Sequence, residues 1–220
     1  ALTRAGIHWD EVQTIFFTHR HGDHLLGLPV FLLRFLRRDT APLRLIGGAT
    51  TLEAARAITI MVYPELAGLL DKIHWLPLAE DRPDELALFP GITLRTAPAA
   101  HPRWVPVLAS RLELADGRVL AYSGDTADAP GLQPLFQDAD LLIHEANFSA
   151  SLDPALDYGF YSHTTARDAA RLARAAAARH LALIHIAARY DGKLDALRAE
   201  AEAEFGQTVL VPQDGDIVAI

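Results

Sequence analysis

The chain has 220 residues, half of them hydrophobic and 22% charged, with a formal net charge of −8 from 28 acidic and 20 basic side chains. This length and composition suit a single globular domain, residues 1–220, and exclude a disordered chain; the acidic balance speaks against a broadly basic nucleic-acid surface, although a local patch or a metal site can still hold phosphate. There is no cysteine, so neither disulfides nor thiolate ligands enter, and that absence neither supports nor excludes secretion. No window has the length and continuous apolarity of a membrane span, and the N-terminus lacks the basic-then-apolar order of a signal peptide, so the expected location is cytoplasmic.

Ala5-Gly6-Ile7 reads as a helix end with Gly6 as its stop, followed by a buried strand over residues 12–18, with His8 at the surface. The next stretch, Thr18-His19-Arg20-His21-Gly22-Asp23-His24, places three imidazoles and a carboxylate within six consecutive residues. It joins the apolar Thr14-Ile15-Phe16-Phe17 to a helix-like run over residues 29–36, so its polar groups sit on a strand-to-helix loop, where function concentrates. Histidines two apart can point the same way from an extended backbone, and Gly22 permits a turn that brings Asp23 and His24 back beside them. Such a loop can feed two metals, and imidazole nitrogen with carboxylate oxygen suits zinc, and also manganese or iron.

Pro29 sits at a first helical position, and Arg34, Arg37 and Arg38 crowd the helix end, where they would either compensate the dipole or touch RNA. Residues 43–46 read as a strand and Gly47-Gly48 as a turn. Thr50 with Glu53 has the capping-box pattern of a helix running to about residue 60. Lacking a lysine and a repeated glycine pattern, the double glycine is not a phosphate loop. Strands follow over residues 73–78 and 92–97, separated by an acidic, proline-containing loop over 80–85; His74 beside Trp75 reads as structural. His101 stands just past the second of these strands. Residues 107–114 and 118–122 form a hairpin about Asp116-Gly117, a strong two-residue turn signal. It leads into Ser123-Gly124-Asp125-Thr126, where an aspartate taken alone would be a turn former, as would Asp128.

A buried, parallel-type strand over residues 139–143 carries His144-Glu145-Ala146-Asn147 at its end. Ser162-His163-Thr164-Thr165 opens an alanine-rich helix to about residue 178, and a strand over 181–186 carries His185, followed by Arg189-Tyr190. A histidine in an apolar strand is more often a hydrogen-bonded core residue than a ligand. A helix over 194–205, a strand over 209–211 and residues 216–220 complete an alternation of strands and helices that implies an α/β fold, with no repeat and no interdomain linker.

His19-x-His21-x-Asp23-His24 after an apolar strand ending in Thr resembles the signature of the metallo-β-lactamase superfamily. The run Gly22-Asp23-His24 to Gly27-Leu28-Pro29 resembles its ribonuclease Z (ElaC-like) branch, as do the "HEAN" segment at 144–147, with Asn in a usual Thr position, the "SHTT" segment at 162–165, and residues 183–190 with their Arg189-Tyr190. The resemblance runs from about Ile7 to the C-terminus and implies a four-layer αββα sandwich. It assigns His19, His21 and His101 to one metal, Asp23, His24 and His185 to a second, and Asp125 to both. Asp23, Glu145 and His163 then belong to the catalytic apparatus, with His163 as proton donor held by Glu145, and Arg189 to phosphate binding or a structural ion pair.

The implied cofactors are two divalent ions, zinc first among them, and the implied substrate is a phosphodiester, RNA included, cut by a homodimer. Three departures stand out. The family opens with several strands before the metal motif where this chain has about one, so N-terminal strands are expected to be missing. Only 23 residues, 102 to 124, separate His101 from Asp125, which leaves no room for the long arm that grips tRNA in the tRNA-processing members. Also, Pro102-Arg103-Trp104-Val105-Pro106 lacks the Gly-Tyr usual after that histidine. A lactonase, arylsulfatase or cyclic-nucleotide phosphodiesterase would use the same metal cage, and a non-catalytic binding member is the rival from another class; Glu145 and His163 favour phosphodiesters.

Overall fold

The computed structural model describes residues 2–36, 42–102 and 104–219. Arg37 and Arg38 lie outside the described residues. The chain divides into two compact units, residues 1–80 and 81–220, each with its own sheet and its own apolar cluster.

In the first unit, a short 3-10 turn, Leu2–Ala5, ends at Gly6, whose φ of +73° is the left-handed stop that glycine allows. The strands β1 (Thr14–Phe17), β2 (Arg44–Gly48) and β3 (His74–Leu78) run parallel in that order. Parallel neighbours need crossovers. The first is formed by the one-turn helix α1 (Gly22–Leu25) and α2 (Leu28–Phe35), the second by α3 (Ala49–Val62). Leu28, Phe31, Leu32 and Phe35 recur at helical spacing and are buried. Arg34 lies over the ring of Trp9, 5.3 Å from its centroid.

Two expectations fail here for one reason. Gly47 and Gly48 are the last residues of β2, in parallel register with Pro77 and Leu78, not a turn. A Cβ at Gly47 would come within 2.9 Å of the Phe17 carbonyl oxygen, and one at Gly48 within 2.1 Å of Glu80 Oε1. The glycines are there for close approach. Nor does the Thr50–Glu53 box cap α3, whose N-cap is Gly48 and has no side-chain bond. Glu80 supplies the cap instead: its Oε1 accepts the Thr50 N–H at 3.0 Å and the Thr50 hydroxyl at 2.8 Å. Glu80→Ala is therefore expected to cost about 1 to 2 kcal/mol, as losing a good cap does, read as a lowered urea midpoint at unchanged slope.

The second unit is built on a seven-stranded mixed sheet in the order β10-β9-β8-β7-β6-β5-β4. The strands are β4 (Asp84–Phe89), β5 (Ile92–Pro98), β6 (Leu108–Glu113), β7 (Val119–Tyr122), β8 (Leu141–Glu145), β9 (His180–Ile184) and β10 (Val209–Leu210). The acidic stretch expected to be loop to residue 85 thus runs into an edge strand, β4. Its residues alternate between half-buried and exposed, and charged residues at its start suit an edge. The β6–β7 hairpin turns at Gly117, φ +86°, as the Asp-Gly signal requires.

Pairing is antiparallel from β4 to β7 and parallel from β7 to β10. The parallel crossovers carry α4 (Gln133–Phe136), α5 (Tyr158–Tyr161), α6 (Ala166–Ala175) and α7 (Leu194–Phe205). Ala166, Ala169, Ala170 and Ala173 are fully buried and let α6 approach its neighbours closely. That helix is shorter than the expected 162–178. Ser162 has a left-handed φ of 55°, and Thr165 is the cap, its hydroxyl accepting the Asp168 N–H, so residues 162–165 stay outside the helix.

Because β5 and β7 are both antiparallel to β6, and β7, β8 and β9 are parallel, the carboxyl ends of β5, β7, β8 and β9 share one edge of the sheet. Just past or at those ends stand His101, Asp125, Glu145 and His185. This is the edge at which α/β sheets place their sites.

Candidate active site

In the first unit the ligand-type residues follow β1 directly. His19 is fully buried; its Nδ1 lies 3.0 Å from the Thr18 hydroxyl and its Nε2 3.0 Å from His21 Nδ1. The His24 ring sits 4.1 Å from that of His19, tilted by 47°. Asp23 Oδ2 lies 3.3 Å from His24 Nε2, on the exposed side of the loop. Gly22 does not make its expected special turn: it opens α1 in ordinary helical geometry, and His21, extended at φ −62°, ψ 154°, is the N-cap. One helical turn after an extended pair brings Asp23 and His24 back. Three imidazoles this close turn several nitrogen donors toward one another, and a solvated polar loop would not bury His19. The donor set fits a cation.

In the second unit, five predicted residues come together. His163 stands between His101 and His185, with ring centroids 5.3 Å and 5.4 Å away, and His185 Nε2 is 3.5 Å from Asp125 Oδ2. His101 Nδ1 lies 3.0 Å from the Ser162 carbonyl oxygen, to which only a protonated nitrogen can donate, so Nε2 carries the lone pair. His185 is not within β9 but one residue past it, at φ +54°, held by the Asn147 amide 3.1 Å from its Nδ1 and 3.0 Å from its carbonyl oxygen. Glu145, His163 and His185 each bring a possible ligand atom within 4.8 Å of the others.

Glu145 is fixed from several sides. Its Oε1 accepts the Thr126 N–H at 2.7 Å, and its Oε2 those of Asn147 at 3.2 Å and Thr164 at 3.3 Å, while His163 Nδ1 lies 2.8 Å from Oε1. A carboxylate on Nδ1 fixes the orientation of the His163 ring. Arg189 stands apart from this group: its guanidinium lies over the Phe148 ring at 5.8 Å and 3.8 Å from Asp153 Oδ2. Sequence reasoning passed over Asn147, whose signal was its departure from the motif, and the Thr126 and Ser162 backbone groups, which carry no signal at all.

His144, next to Glu145, is a core residue. It is buried, its Nδ1 is 2.7 Å from the Glu145 carbonyl oxygen, and its ring meets Phe136 edge-on. Burial pushes its imidazole below the ordinary value of 6.5. The unfolded chain therefore binds a proton near pH 6.5 that the native one does not. This contributes stability above that pH which is lost as pH falls through the native value. His144→Gln should flatten the loss of urea midpoint between pH 7 and pH 5; an unchanged slope would exclude His144 as its source.

Residues 3–186 match the family described as the Beta-lactamase superfamily domain, and the chain belongs to that family. Within it, the chain resembles ribonuclease Z from Lactobacillus helveticus, with 30% identity over 258 aligned positions covering 96% of this chain and 81% of that protein. That alignment is longer than the chain's 220 residues, so the relative carries insertions this chain lacks. The ribonuclease Z of Natronomonas pharaonis is 42% identical over 104 residues, 47% of this chain, and the match spans only 33% of that protein's length. Among solved structures, the metallo-β-lactamase fold protein YhfI from Bacillus subtilis superposes with a TM-score of 0.77 at 22% identity, covering 94% of this chain and 78% of that one. The α/β class, the metallo-β-lactamase fold and the likeness to the ribonuclease Z branch read from the motifs are thus borne out.

Proposed function

We propose that the chain is a dinuclear metal-dependent phosphodiesterase resembling ribonuclease Z, acting on RNA or smaller diesters as a cytoplasmic homodimer whose 220 residues work as one domain. The observation that carries this reading is the Glu145–His163 pair at 2.8 Å, beside His185 and Asp125. In the proposal His19, His21 and His101 hold one ion, Asp23, His24 and His185 the other, and Asp125 both; the nitrogen and oxygen donors suit zinc, with manganese and iron as the alternatives. When bound, such ions supply Lewis acidity toward a phosphoryl oxygen and make water acidic enough to attack near neutral pH.

The chain's own contribution is proton management and orientation. An alkoxide leaving group needs a proton as the bond breaks. His163 gives it from Nε2, and the Glu145 carboxylate orients the ring and stabilises the imidazolium form. Asn147 holds His185, and Ser162 fixes the tautomer of His101. The Glu145 and His163 pair, with the likeness of its segments to ribonuclease Z, is what favours phosphodiesters over lactones and sulfate esters in this reading.

Affinity for a large RNA is a separate matter. Remote contacts normally supply much of it and make it steeply salt-dependent, and among the described residues the interval after His101 holds a turn and the β6–β7 hairpin. Small diesters should therefore be cut well, and precursor tRNA only at high concentration. Steady-state kinetics on both substrates test this. A low KM for precursor tRNA that rises steeply with salt would overturn it, and hydrolysis of lactones alone would overturn the phosphodiesterase reading.

A further inference from the structure

Glu200 lies mid-way along α7 and is 8% exposed, yet its carboxylate is not among the groups that reach the proposed site. It accepts five hydrogen bonds. Oε2 takes the Ser149 hydroxyl at 2.7 Å, the Ser151 N–H at 2.8 Å and the Ser151 hydroxyl at 2.5 Å. Oε1 takes the Ala150 N–H at 2.9 Å and the Arg167 N–H at 3.1 Å. All five donors are neutral, and they come from two stretches of chain that are distant in sequence.

Those stretches flank His163. The Phe148 N–H donates to the Thr164 carbonyl at 3.2 Å, and the Ala166 N–H to the Phe148 carbonyl at 2.9 Å, so residues 147–151 and 163–167 are pinned side by side. Glu145 grips one end of this pair through Asn147 and Thr164. Glu200 grips the other through residues 149–151 and 167. The long loop between β8 and α6 has no strand ladder to fix its register, and two buried carboxylates take that role.

We propose that Glu200 is a positioning residue for His163: it locks the loop that sets the imidazole against Glu145 and so determines how well the proton is delivered. This rests on the reading of His163 as the donor. Glutamine cannot replace it. An amide nitrogen in place of Oε1 would face the Ala150 and Arg167 N–H groups, and in place of Oε2 the Ser151 N–H, so either orientation leaves buried donors unpaired.

The test is a double-mutant cycle on the metal-loaded protein, with an alkyl phosphodiester and a nitrophenyl phosphodiester as substrates. Glu200→Gln should lower kcat on the alkyl diester by about 10- to 100-fold, the usual effect of a sub-ångström to ångström misplacement. It should leave the nitrophenyl diester and the metal content nearly unchanged, and add no further loss in a His163→Ala background. Equal losses on both substrates, or losses that multiply with those of His163→Ala, would show a merely structural residue and overturn the proposal, as would full activity. Should Glu200→Gln fail to fold, Ser151→Ala removes one hydroxyl donor alone and should give the same leaving-group dependence, severalfold in size. If His163→Ala itself costs both substrates equally, it is the donor assignment that fails.

Discussion

His163→Ala is expected to keep its metal and lose about 100- to 10,000-fold in kcat on an alkyl phosphodiester, the usual range for removing a general acid. The size follows from the leaving group. An alkoxide departing without a proton is a strong base, whereas a nitrophenolate is stable without one, so the nitrophenyl diester should suffer far less. The structure gives the physical basis. His163 Nδ1 lies 2.8 Å from Glu145 Oε1, and in the proposed reading the other ring nitrogen delivers the proton. Glu145→Gln should follow the same leaving-group pattern, since an amide cannot stabilise the imidazolium and in either orientation its nitrogen would face the Thr126 N–H or those of Asn147 and Thr164. Equal losses on the two diesters would show that His163 does something other than donate.

Removing the metal should cost more than any of these substitutions. Water's own pKa is about 15.7, against about 7 beside a catalytic zinc ion, so chelated protein should fall beyond about 10,000-fold on every substrate, whatever its leaving group. Asp125→Asn and His21→Ala should approach that loss through reduced metal content. This independence from leaving group would separate the proposed metal ligands from His163. Activity in His21→Ala equal to the parent would remove that residue from the ligand set.

What was legible in the sequence was what is local. The run from His19 to His24 stood out because one extended pair and one helical turn, all within six residues, gather its possible donors. The Asp116-Gly117 turn and the helix over 194–205 were equally plain. Asp125 and His185 were not, since a lone aspartate after a strand and a lone histidine at the end of another each have commoner explanations; only the resemblance of their surroundings pointed to them. The remainder depends on partners far along the chain. The cap of α3 comes from Glu80, thirty residues beyond Thr50, and defeats a local capping box. Gly47 and Gly48 read as a turn because close approach by Phe17 and Glu80 leaves no trace in their own neighbourhood. Strand β4 was hidden by charges that an edge tolerates, and Glu200 by a helix that carries three other acidic residues, Asp195, Glu202 and Glu204.

The most direct measurement is a zinc titration of chelated, dialysed protein, with bound metal and hydrolysis of a minimal phosphodiester read on the same samples. The account predicts a negligible rate without metal and a rise that levels off at about two ions per chain, as a paired site of this kind requires. Full hydrolysis before any zinc is added, or no bound zinc at saturation, would contradict it.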